Sequence, residues 1–168
     1  MKKYIIIILL APIFCVSQET SKIKFKSIAI NPLSIYLEND SGGFAISADV
    51  GLSYKENIFL VSTQFGYEFA VFTTYLDSFS ELSLLWGREF KLTSWLRWDG
   101  FAGLGYFYLK EGNFDIRGHD RNSTVGFPLI SKLKCMIGNH FSLGIQLRGN
   151  FNSLQTIGSA GLILQVDF

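Results

Sequence analysis

Apolar residues fall at every second position through most of this chain, and turn chemistry breaks the pattern at fairly regular intervals. The stretch GSAGLILQVDF, residues 158–168, shows it most cleanly. Ala160, Leu162, Leu164, Val166 and Phe168 alternate with Ser159, Gly161, Ile163, Gln165 and Asp167. Such alternation puts one set of side chains on each face of a β-strand. The same reading predicts strands over residues 24–37, 43–54, 58–69, 79–90, 95–108, 124–136 and 141–151. Pro32 interrupts the first of them. Proline has no amide hydrogen to give to a ladder, so an edge, a strand end or a bulge is expected there.

With the last stretch these make eight strands, and the connections between them alternate in length. KEN, KLTS and GNH join strands two to three, four to five and six to seven. ENDSG, AVFTTYLDS, KEGNFDIRGHDRN and NSLQ make the remaining joins and are mostly longer. Short turns at one end and longer loops at the other are the organisation of a transmembrane barrel. The expected fold is therefore all-β: an eight-stranded antiparallel up-and-down transmembrane β-barrel, with both termini on the short-turn, periplasmic side.

Alternation does not by itself say which face is inside. In a soluble eight-stranded barrel, the lipocalin arrangement, apolar side chains line a cavity and polar ones meet water. Three features favour the reverse. The polar face is rich in glycine, at Gly51, Gly66, Gly87, Gly103, Gly105, Gly126, Gly144 and Gly161. A barrel of eight strands has room inside only for side chains, so small residues there make space for a few large ones. The same face carries both signs of charge: Asp49, Glu68, Glu81 and Asp99 against Arg97, Lys132, Lys134 and Arg148. Charges in a narrow lumen must be paired, and a balanced set permits that. The apolar face is crowded with aromatics near strand ends, at Tyr54, Tyr67, Phe69, Trp86, Phe90, Trp98, Tyr106 and Tyr108, where a membrane interface would hold amphipathic rings.

Composition changes the picture in two ways. The chain is 48% hydrophobic and 17% charged, against about 25% charged in ordinary soluble domains. Part of the excess comes from the start. Lys2 and Lys3 precede the apolar run YIIIILLAPIF, and Cys15, Val16 and Ser17 follow it. This is the layout of a secretory signal, too short to span a bilayer as a helix. We expect residues 1–17 to be cleaved and residues 18–168 to form the barrel domain. Removing Lys2 and Lys3 takes fifteen basic residues to thirteen, against fourteen acidic ones, which gives no basic surface for nucleic acid. Cys135 is then the one cysteine left, so no internal disulfide is expected.

At this point the sequence resembles the small outer-membrane β-barrel proteins of Gram-negative bacteria. Leu164, Val166 and Phe168 match the apolar alternation and final aromatic of their last strand, with Gly161 upstream. The resemblance implies that this strand is read by the barrel-insertion machinery. INPLSIYLEN, residues 30–39, and GLSYKENIF, residues 51–59, also resemble a group of barrels from the Bacteroidota. The implied setting is the outer membrane, among its lipid and lipopolysaccharide, as a monomer with no cofactor.

Catalytic candidates are sparse. His140 and Ser142 resemble the His-x-Ser of outer-membrane lipid A deacylases, but no Glu follows Glu111 to complete a triad. The loop predicted over residues 110–123 holds His119, Asp120 and Ser123, residue types that outer-membrane palmitoyltransferases use, though not at their spacing. Its Asp115, Arg117, His119 and Arg121 are the candidates for ligand or surface contact. One histidine among scattered acids makes no metal site. The expected function is a structural or surface-interaction role through the outer loops. A lipid A-modifying barrel and a soluble lipocalin-like periplasmic carrier stand as alternatives.

Overall fold

The structure, a computed structural model, describes residues 22–38, 41–69, 77–113 and 118–168. The expected signal segment, residues 1–17, lies outside the described residues. Eight strands, β1 (Lys24–Leu37), β2 (Gly42–Tyr54), β3 (Asn57–Glu68), β4 (Ser78–Lys91), β5 (Leu96–Asn113), β6 (Gly118–Ile137), β7 (Phe141–Asn152) and β8 (Thr156–Asp167), form one closed barrel. Each strand pairs antiparallel with its sequence neighbours, and β8 returns to β1 through pairs such as Ile28↔Val166 and Tyr36↔Ser159. Closure leaves no open edge along the wall, which is what a lipid environment demands of backbone N–H and C=O groups.

Pro32 sits at a bulge rather than an edge. The register of β1 shifts between Asn31 and Ser34 against β2, and between Ile30 and Leu33 against β8. With its nitrogen turned toward them, the buried Asn31 amide donates to Leu33 O at 3.1 Å and Leu162 O at 2.9 Å. A side chain thus serves carbonyls that the interrupted ladder leaves over.

Turns at the end where β1 begins are tight: Lys55 and Glu56, residues 92–95, and residues 138–140. Lys55 takes φ 55°, and Gly138 takes φ 72°, where glycine carries no Cβ penalty. The opposite end holds the connections after β1, β3, β5 and β7. One expectation fails there. The predicted loop over residues 110–123 is mostly a β-hairpin, with Lys110↔Arg121, Glu111↔Asp120, Gly112↔His119 and Asn113↔Gly118 paired. The hairpin rises past the neighbouring strands, where neither face is required to be apolar. The period-two signal therefore vanishes although the strands continue.

The two faces are sharply divided. Leu84 is 66% exposed and Leu104 55%, while Lys132 and Lys134 are 1% and 0% exposed. A soluble barrel would have these reversed. Leu104→Arg should therefore destabilise the folded barrel by about 2–4 kcal/mol if it lies near the bilayer midplane. Asn122→Arg, on the protruding hairpin beside Glu111, should be tolerated. Denaturant unfolding of both variants from lipid vesicles checks this, and equal tolerance would count against the orientation.

Candidate functional site: an ion-paired interior beneath an apolar plug

The interior is built in zones set by strand alternation. Nearest the tight turns, Glu89 on β4 gathers three cations: Arg97 Nη1 at 3.2 Å, Lys134 Nζ at 3.3 Å and Lys26 Nζ at 3.7 Å. Lys134 also reaches Asp99 Oδ2 at 2.6 Å, and Lys26 reaches Asp167 Oδ1 at 3.5 Å. Three acids thus face three bases, the neutrality a low-dielectric lumen requires.

Farther in, two isolated pairs bridge the barrel. Lys132 Nζ lies 2.7 Å from Asp49 Oδ2 and over the Phe101 ring, 5.5 Å from its centroid. Arg148 donates through Nη2 to Glu81 Oε1 and through Nη1 to Ser62 Oγ, each at 2.8 Å. Ser83 Oγ donates to the same Glu81 oxygen. Both partners of the Arg148–Glu81 pair are buried. Glutamine–serine bonds add to this, Gln64 to Ser159 at 3.1 Å and Gln146 to Ser47 at 3.4 Å.

The zone toward the long connections is apolar. Tyr36, Ala45, Phe79, Phe107, Leu109 and Ile157 form one buried cluster. Phe79 meets Tyr36 edge-on at 5.0 Å and stacks on Phe107 at 5.6 Å. Gly66 makes this possible, since a Cβ there would run into the Phe79 ring. A second buried cluster, Ile58, Leu60, Leu85, Phe101 and Ile130, comes from β3 to β6 alone. Neither cluster follows from an inward face expected to be small and ionic. The available signal was breaks in alternation: Leu85 beside Leu84, Phe107 between Tyr106 and Tyr108, and Ile58 next to Phe59.

The outer rim is acidic. Among described residues outside or at the ends of strands there, Glu38, Glu68, Asp77, Glu111 and Asp120 stand against Lys110 and Arg121. Ser41 Oγ donates to Glu38 Oε1, and Asp77 N donates to Glu68 Oε2 at 3.3 Å. Burial pushes the Glu38 carboxyl above the usual range, and Asp77 and Glu68 add to the shift while the Ser41 bond opposes it. An acid whose folded pKa is raised favours folding below its unfolded pKa and loses that contribution as pH rises through the folded value. Glu38→Gln should accordingly raise stability at pH 7 and leave it nearly unchanged at pH 4, read from unfolding midpoints at the two pH values.

The structure places the remaining candidates as follows. Asp49, Glu81, Asp99, Lys132 and Arg148 are buried in the lumen. Arg97 is half-buried near the tight-turn mouth and Glu68 half-buried at the opposite rim. Asp115 and Arg117 lie outside the described residues. His119, Asp120, Arg121 and Ser123 are on β6, where Asp120 and Ser123 take opposite faces, so the strand does not bring them together. Ser142 is buried, while His140 sits in a tight turn with Nδ1 2.9 Å from Asp167 O. Leu164, Val166 and Phe168 point outward on and just beyond β8.

No protein-family model matches the chain, and no curated protein matches it. Solved structures do. Neisserial surface protein A superimposes with a TM-score of 0.71 at 12% identity, over 88% of this chain and 99% of that one. The fold is that of the small outer-membrane barrels. Ail of Yersinia pestis, solved with the heparin analogue sucrose octasulfate, gives a TM-score of 0.62 at 15% identity, over 85% of this chain and 97% of its own. The N-terminal barrel domain of Pseudomonas aeruginosa OprF gives 0.61 at 17% identity, over 88% of this chain and 100% of its own. At identities this low, what is shared is the fold alone, a closed eight-stranded antiparallel barrel.

Proposed function

We propose that this chain is an integral outer-membrane barrel, exported by a cleaved signal, of the Bacteroidota type, that acts through its outer rim as a structural or surface-contact protein. The observation that carries this reading is the inversion of faces, with buried lysines inside and leucines outside. The plug of Phe79, Phe107, Tyr36 and Leu109 favours a closed barrel over a solute pore. The likeness to Neisserial surface protein A, Ail and the OprF barrel supports the membrane setting. A sulfated polyanion such as the one bound to Ail is a poor match for an acidic rim, which favours a cationic or neutral partner instead. The last strand, through Leu164, Val166 and Phe168, is the part offered to the barrel-insertion machinery.

Cell fractionation tests the reading when combined with electrophoresis of heated and unheated samples. The protein should partition with outer membranes, need detergent for extraction and migrate faster unheated. A folded monomer that stays dissolved in detergent-free buffer would overturn it and revive the lipocalin-like carrier.

A further inference from the structure

All three tryptophans of the chain, Trp86, Trp95 and Trp98, lie toward the tight-turn end of the barrel. Two of them line a groove on the outward surface of β4 and β5, with Arg88, Phe90, Gly100 and Ala102. Phe90 and Trp98 stack there with centroids 5.1 Å apart, and Trp98 Nε1 donates to Ser131 Oγ at 2.9 Å. The floor is open at Gly100, where an added Cβ would meet nothing nearer than the Trp98 ring at 3.6 Å. Asn57 Oδ1 accepts from both Trp86 Nε1, at 3.1 Å, and Arg88 Nε, at 3.2 Å. One amide therefore holds an indole and a guanidinium side by side. The other contact of Arg88 is Glu56 at 3.5 Å, and both groups are well exposed, so solvent weakens it.

Charge singles out the occupant. Around this mouth, among the described residues, exposed Lys22, Lys24, Lys55, Arg88 and Lys91 face a single exposed acidic side chain, Glu56, the reverse of the acidic rim at the other end. An arginine flanked by indoles at the lipid boundary, within a basic rim, is complementary to an anionic headgroup carrying an acyl tail. We infer that this groove binds an anionic phospholipid of the leaflet at the tight-turn end. Arg88 meets the headgroup phosphate, and an acyl chain lies over Gly100 and Ala102 between the rings. The inference rests on the membrane reading above.

The tryptophans supply the measurement. The barrel is folded into phosphatidylcholine bilayers containing a minor fraction of brominated-acyl phosphatidylglycerol or, separately, brominated-acyl phosphatidylcholine, and quenching of tryptophan fluorescence is compared. Heat-dependent mobility is checked first, so a failure to insert counts against the membrane reading and not against the groove. In the inserted wild type the anionic lipid should associate about fivefold more strongly, the factor equivalent to about 1 kcal/mol for one basic group at an anionic surface. Arg88→Gln, an exposed change that leaves the fold intact, should bring the two lipids level. Equal quenching by both lipids in the wild type would overturn the inference. So would a preference that Arg88→Gln leaves unchanged, since the rim lysines alone would then account for it.

Discussion

Arg148→Met is expected to lower the stability of the folded barrel by about 3–5 kcal/mol, the cost of leaving one member of a buried ion pair alone. Among the described residues Arg148 is the one cation paired with Glu81, which is buried and also bonded by Ser83. Without the guanidinium, the buried Glu81 carboxylate has no cation in contact with it. Ser62 Oγ loses its donor as well. The double variant Glu81→Gln with Arg148→Met removes both charges and should recover most of the loss, because the pair balances two desolvation costs more than it adds net stability. Denaturant unfolding from lipid vesicles, run as a double-mutant cycle, reads both numbers. A single variant within 1 kcal/mol of wild type, taking about 1 kcal/mol as the ceiling for an exposed pair, would mean that the pair is solvated.

Phe107→Ala should cost a similar amount, about 3–5 kcal/mol, for a different reason. Phe107 is fully buried and stacked on Phe79, inside a wall that inter-strand hydrogen bonds close all the way round. That wall cannot collapse into the space left behind, so the cavity term adds to the lost transfer energy. Phe127 provides the contrast: it is 61% exposed on the outer face. Lipid tails fill the space left by Phe127→Ala, so only the transfer term is lost, about 1.5–3 kcal/mol. The same unfolding measurement separates the two. Equal losses would mean that the plug is loosely packed.

Both variants act on features that the linear pattern disclosed unequally. Arg148 could be placed on the inward face from Leu147 and Gly149 beside it, but nothing local pointed to Glu81 as its partner, 67 residues away. The Phe107 ring hides between two outward tyrosines. A window of three consecutive aromatics reads as an apolar patch until the neighbouring strands say which of the three points in. The protruding hairpin of β5 and β6 was missed because water on both faces imposes no alternation, and turn-forming and charged residues there read as a loop.

What the sequence by itself determined is the strand count, the antiparallel order, the two faces of each strand and the direction in which those faces point. These follow from a local rule: each residue in the wall meets lipid on one side or the lumen on the other, and the period of a strand is two. The tertiary structure alone decided the pairing of charges across the lumen, the apolar plug and the groove beside Arg88. The charge pairs and the plug depend on register and on closure of the barrel, and the groove on the register of β3, β4 and β5; each brings residues from different strands to one height, and no local pattern records that height.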